Sequence, residues 1–167
     1  MSCSGAVPLG RSGAVNPIDS WTCDTCGEQI VGADAGNVVF DTTDDPHRCS
    51  NFRIVHRVTE RPSCDPPGTE YLMLVNLVGA GGLSNLLSWL SPGPIIRSSS
   101  PGASAPQIEV DLDEFVDLIR RIHVPHYDAA RLRFADEDVL AEMSDANETY
   151  PYIPHVLAHI AQTPPPR

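Results

Sequence analysis

Apolar residues along this chain change their period several times, and each change predicts a different element. Gly36-Asn37 introduces Val38-Val39-Phe40, a short β-branched and aromatic run, and Asp41 to Pro46 follows as an acidic turn. From Phe52 to Val58 apolar positions alternate with arginine. Phe52, Ile54, His56 and Val58 share one face, and Arg53, Val55 and Arg57 share the other. This predicts two short strands, which are marginal without a staple.

Beyond residue 66 the period lengthens. Tyr71, Leu72, Leu74, Val75 and Val78 fit a buried helix. Gly79-Ala80-Gly81-Gly82 breaks it, and Leu83, Leu86, Leu87 and Leu90 recur at three- and four-residue spacing until Gly93-Pro94. The expectation is a helical hairpin over 66–90. The glycine run has neither a Walker lysine nor Gly-x-Gly-x-x-Gly spacing, so it reads as a helix–helix turn and not a phosphate loop. Residues 91–107, rich in Ser, Pro and Gly, read as a linker or long loop and as the boundary between the two halves.

The clearest helix covers 111–122. Asp111 and Glu114 make a capping pair, Leu112, Phe115, Val116, Ile119 and Ile122 trace an apolar stripe, and Arg120 and Arg121 lie in the last turn. Pro125 ends it and opens a second helix running to about Met143. A third follows Pro154 on the stripe Ile153, Val156, Leu157 and Ile160. C-terminal helices are therefore expected over 108–162. A disordered leader over 1–19, where Cys3 is a free thiol, and a tail over 163–167 complete the organisation.

Composition narrows the function classes. With 16 Pro and 12 Gly in 167 residues, much of the length is expected to be irregular. All 11 basic residues are arginine and the net charge is −11. Residues 1–65 carry 5 Arg against 9 acids, and residues 109–167 carry 5 against 12, so neither half is basic. That balance disfavours a nucleic-acid-coating protein, although Arg48, Arg53, Arg57 and Arg61 form a local strip. There is no run of about 18 apolar residues for a membrane span and no apolar core for a secretory signal at 1–18, so the expected location is cytoplasmic.

The chemistry sits in Trp21-Thr22-Cys23-Asp24-Thr25-Cys26-Gly27. Two cysteines three positions apart reach one metal across a tight turn, and Gly27 tolerates the positive φ such a turn needs. A redox Cys-x-x-Cys would open a helix after a strand; the glycine and the short apolar pieces here favour a metal knuckle. His47, Cys49, His56 and Cys64 are four candidates for the remaining ligands, and spacing does not choose among them. His155 and His159 share a helical face, and His123 and His126 flank a helix junction. Without the Glu of a His-Glu-x-x-His motif both pairs read as surface or capping residues.

The knuckle, the strand Phe52-Arg53-Ile54-Val55-His56 and the later Cys64 together resemble a group of uncharacterised proteins from actinobacteria and their phages, which carry W-x-C-x-x-C-G, F-x-I-V-H and a downstream Cys. The stretches 82–88 and 120–131 match the same group, and the likeness covers most of 20–160. It carries no activity with it. It implies the ligand set Cys23, Cys26, His56 and Cys64, a Cys3His zinc site, and leaves His47 and Cys49 as extras. A Cys64–His56 nucleophile–base dyad would compete for both residues.

The expected fold is therefore α+β: a small zinc-ribbon-like β unit over 20–65, then the helical hairpin, then a C-terminal helical bundle. The expected function is non-enzymatic. A structural Zn2+ would hold a protein that works through a protein partner, with arginine-mediated nucleic-acid regulation as the alternative.

Overall fold

The computed structural model describes residues 18–44, 47–64, 66–91, 93–95 and 109–162. Cys3, the leader up to residue 17, most of the 91–107 loop and the 163–167 tail lie outside them. The architecture is mixed α+β, built on two small sheets.

The first sheet is an antiparallel hairpin of β1 (Ser20–Thr22) and β2 (Gln29–Val31), paired Trp21 to Ile30. The second has four strands. Its long central pair, β3 (Gly36–Asp44) and β4 (His47–His56), is antiparallel, with a bulge between Val39 and Asp41. β5 (Glu70–Met73) lies antiparallel on the free side of β3, and β6 (Glu109–Val110) lies parallel to β4, giving the order β5-β3-β4-β6.

Helices cover this sheet and extend from it: α1 (Gly79–Leu90), α2 (Leu112–His123), α3 (Tyr127–Ala130), α4 (Glu137–Glu142) and α5 (Pro154–Gln162). One core gathers Trp21 and Ile30 from the hairpin, Val38 and Ile54 from the sheet, Leu74, Leu77 and Leu86, and Phe115, Leu118 and Ile122 from α2. Trp89 of α1 stacks on Phe115 at 5.9 Å between ring centres, and Phe52 meets Phe115 at 5.5 Å. A second, smaller core holds Tyr127, Ala130, Val139, Val156, Leu157 and Ile160.

Several expectations are corrected. The first helix of the hairpin over 66–90 is strand β5 followed by a 3-10 turn, Leu74–Asn76. A short apolar run fits either period, and what decides here is a non-local partner: Leu72 pairs with Val38 and Met73 with Asn37. Nor does the loop over 91–107 divide the protein into two cores. β6 joins β4, and α2 buries Phe115, Leu118 and Ile122 in the sheet core. The C-terminal helices with a core of their own are α3 to α5. The single helix expected from Pro125 to about Met143 is interrupted. A 3-10 turn, Arg131–Arg133, follows α3, and the extended backbone of Asp136 (ψ 132°) restarts the chain as α4. On β4, Val55 is as buried as Ile54, so this end of the strand is covered on both faces, while Val58 falls in an exposed turn.

The helices expected at 111–122 and after Pro154 form, but the buried face of α2 is rotated from the expected stripe: Leu112 is exposed, and Leu118 and Arg121 join Phe115 and Ile122 inside. Asp111 caps α2 by accepting a hydrogen bond from the Glu114 N–H, at 3.3 Å. In α5, Val156, Leu157 and Ile160 are buried.

The glycine run has a different role from a helix breaker, because it opens α1. A Cβ on Gly82 would lie 2.0 Å from the carbonyl carbon of Leu77, so the helix starts in close contact with the preceding turn's backbone. Replacing Gly82 by Ala is expected to destabilise the protein by about 1–3 kcal/mol through this overpacking. Gly81→Ala, whose Cβ would meet nothing within 4 Å, is expected to stabilise it by about 0.5–1 kcal/mol. Urea midpoints of the two variants would test the pair, and equal effects would contradict the contact.

Candidate metal centre

Three pieces of chain meet at one end of the sheet. The hairpin β1–β2 supplies Cys23, directly after Thr22, and Cys26 in its turn. β4 supplies His56 as its last residue, and a turn beyond it, closed by the Cys64 N–H donating to the Arg61 carbonyl at 3.0 Å, supplies Cys64. The ligand atoms of these four residues all lie within 4.8 Å of one another. Tetrahedral Zn–S bonds of about 2.3 Å set sulfurs about 3.8 Å apart, so small side-chain adjustments close the group around an ion. Among the described residues no other group of three or more metal-ligating side chains comes together in this way.

The turn geometry follows from the sequence. The Cys23 N–H donates to the Glu28 carbonyl and the Gly27 N–H to the Cys23 carbonyl, both at 2.9 Å, which folds the two sulfurs to one side. Gly27 takes φ 73°, as the knuckle reading requires. Thr25 Oγ1 donates to the Cys64 carbonyl at 2.9 Å, and Arg61 pairs with Glu28, so the two turns brace each other. Cys23, His56 and Cys64 are buried, while Cys26 forms the exposed edge of the site.

His56 is oriented for ligation. Its Nε2 lies 3.3 Å from the Gln29 carbonyl oxygen. A carbonyl only accepts, so Nε2 carries the proton and Nδ1 keeps its lone pair. That Nδ1 faces the cluster, 3.6 Å from Cys26 Sγ. Carbonyl anchoring of the distal nitrogen is the usual support of a metal-binding imidazole.

The thiols titrate far apart. Burial pushes Cys23 up, but the backbone N–H groups of Cys26, His56 and Thr25 and the His56 side chain outweigh it and bring the thiol down to about 7. Burial pushes Cys64 up to about 11, helped by its contact with Cys26 and by the Cys23 charge. Bringing all three sulfurs to the thiolate form here costs mutual repulsion unless a cation accompanies them. A divalent ion removes that repulsion and displaces the protons, so metal affinity falls as the pH is lowered.

The other candidates lie elsewhere. Cys49 is buried in the sheet core opposite Thr42 and beside Val110, with its thiol pushed up by burial and by the Glu70 charge. Seven residues of strand, roughly 20 Å, separate it from His56. His47 begins β4, nine residues before His56, and its side chain lies outside the described residues. His126 precedes α3 in the left-handed region at φ 68°, and His159 faces Glu142 at 3.7 Å. Burial pushes the His123 imidazole down, against a hydrogen bond with the Leu77 backbone. The four arginines of the strip are all engaged. Arg48 pairs with Asp111, Arg53 with Asp41 and Arg61 with Glu28, and Arg57 donates to the Asp34 carbonyl.

Sequence reading missed the residues that hold the knuckle in place. Asp24, between the two cysteines, accepts from the Ile54 N–H at 2.7 Å, from Arg121 Nη1 at 2.7 Å and from Arg131 Nη2 at 2.5 Å. Asp128 accepts from Arg121 Nε at 2.6 Å, from Arg131 Nε at 3.1 Å and from the Thr22 N–H at 2.6 Å. Arg121 is fully enclosed, its side chain 4 % exposed. The apolar stripe expected for this helix gave no signal of it, because Arg121 lies about half a turn away from the centre of that stripe. Arg121 flanks Leu118 on the side away from Ile122, at the edge of the face that α2 buries.

Comparison of the chain with protein-family models, with curated proteins and with solved structures finds no match. No helix among the described residues is long and apolar enough to cross a membrane.

Proposed function

We propose that this is a non-enzymatic cytoplasmic protein in which Cys23, Cys26, His56 and Cys64 hold one structural Zn2+, and which acts by presenting its folded surface to a protein partner. The observation that carries the metal assignment is the convergence of the four ligand atoms within 4.8 Å, with His56 already set in the ligating tautomer. Three sulfurs and one imidazole nitrogen form a soft, tetrahedral set that suits zinc over magnesium, calcium or manganese. Four protein ligands complete the coordination and leave no position for an activated water, which favours a structural role over a catalytic one. The likeness to the W-x-C-x-x-C-G group points to the same four residues.

A partner role draws on the C-terminal helices. An apolar cleft of about 170 Å3 lined by Phe134, Leu140, Met143 and Tyr152 lies beside an open hollow lined by Glu142, Asp145 and Asn147. A net charge of −11 and the pairing of the strip arginines favour a protein over a nucleic acid.

Metal analysis of the purified chain tests the central claim. About one zinc per chain is expected, with Cys23, Cys26 and Cys64 protected from thiol reagents until a chelator is added. Metal-free protein with all its thiols reactive and its fold unchanged would sink the assignment.

A further inference from the structure

We propose that Asp24 couples the metal centre to the C-terminal helices, so that Arg121 and Arg131 act as positioning residues for the metal and the metal in turn holds α2 and α3 in place. This rests on the metal reading above and adds a regulation of that site.

Asp24 is not one of the four ligands, yet it touches both halves of the site. Its backbone N–H donates to the Ile54 carbonyl at 2.8 Å and its Oδ2 accepts from the Ile54 N–H at 2.7 Å. The loop bearing Cys23 and Cys26 is thereby bolted to β4 two residues before His56. The same carboxylate is the acceptor for Arg121 and Arg131, which lie 97 and 107 residues further along the chain. Two more bonds clip the adjoining strand to the same helices: Trp21 Nε1 donates to the Arg121 carbonyl at 3.1 Å, and the Thr22 N–H donates to Asp128. Every link is short, charge-assisted or buried, and none can slide without its neighbours.

Two consequences follow from this geometry. With α2 and α3 docked, the Cys23–Cys26 loop is fixed before metal arrives, and metal binding loses less conformational freedom. With metal bound, the loop is fixed independently, and Asp24 stands ready for its arginines. Linkage makes these a single coupling: whatever factor the arginines add to metal affinity, the metal adds to helix docking. Loss of metal would therefore loosen a surface remote from the ligands, on the α2–α3 side of the molecule.

Zinc affinity measured by competition with a chromophoric chelator, alongside the Co2+ absorption spectrum, tests the coupling on the full chain. Asp24→Asn and Arg131→Met are expected to bind zinc roughly 10–100-fold more weakly than the parent while keeping the tetrahedral Co2+ spectrum, as loss of outer supports does at other metal sites. Arg133→Met is the control. It breaks a pair with Asp136 and a bond to the Ile160 carbonyl, neither of which reaches Asp24, and it should leave affinity unchanged. Chelating the metal from the parent protein should raise hydrogen exchange at 120–131 as well as around the ligands. If the parent binds neither zinc nor cobalt, the metal reading falls and the coupling with it. If the parent binds tightly and Asp24→Asn and Arg131→Met match it within twofold, the coupling alone is overturned. Equal weakening by Arg133→Met, or unchanged exchange at 120–131 after chelation, would also overturn it, since either marks a general or a purely local effect.

Discussion

Replacing His56 or Cys64 by alanine is expected to abolish stoichiometric zinc binding and to unfold the hairpin and the turns around the site. The reason is the size of the parts. β1 and β2 are three residues each, and a hairpin of that length has little stability of its own. Zinc contributes about 10–16 kcal/mol of apparent folding free energy to small metal-held units. With one ligand gone, the remaining sulfurs stay close together without a full set of donors to hold a cation between them. Thr25, which braces the Cys64 turn, and Gln29, which anchors His56, lose their framework. Cys49→Ala sets the scale for an ordinary buried cysteine. It removes one sulfur from the sheet core, far from the cluster, and should cost about 1 kcal/mol with metal binding intact. Far-ultraviolet circular dichroism and zinc content of the three variants decide the matter. A Cys49→Ala variant as damaged as Cys64→Ala would show that the ligand set is wrong.

Arg121→Met is the second large effect. The methionine fills much of the volume but leaves Asp24 and Asp128 without their buried counter-ion, and removing one partner of a buried ion pair costs about 3–5 kcal/mol. Arg131 sustains part of the network, since it reaches both carboxylates, so the loss should fall within that range and not beyond it. Adding Asp128→Asn to Arg121→Met removes one of the stranded charges and should recover part of the stability. Chemical denaturation of the single and double variants measures this directly. An Arg121→Met variant within about 0.5 kcal/mol of the parent would mean that the enclosed network contributes nothing net.

What could be read in advance was what neighbouring residues decide among themselves. The Asp111–Glu114 cap, the left-handed Gly27 and the stripe of α5 depend on side chains within a few positions, and each forms as expected. Residues 70–73 depend on β3, thirty or more residues away, and their apolar run fits two periods equally well, so local pattern does not separate strand from helix there. Gly82 gave no sign of its contact with Leu77 because the run Gly79-Ala80-Gly81-Gly82 suggests freedom, whereas one of its members answers a steric demand. Arg121 and Asp24 are ordinary surface residue types, and only the approach of α2 to the hairpin turns them into an enclosed pair. In the site, the cysteine pair was legible from its spacing. Spacing left His47, Cys49, His56 and Cys64 open; the likeness to the W-x-C-x-x-C-G group implied His56 and Cys64, and the convergence of their ligand atoms with the cysteine pair agrees with that choice.

The order in which the chain is made gives the network a further meaning. All four residues of the Cys3His cluster are present once Cys64 has been synthesised, but the arginines that engage Asp24 follow more than fifty residues later. At about 5–20 residues per second, a nascent chain spends several seconds with all four cluster residues made and an uncovered Asp24. During that interval Trp21 and Thr22 also lack their partners on α2 and α3. The amino-terminal cluster is thus made well before the residues that cover Asp24, and its final buttressing waits for Arg121 and Arg131.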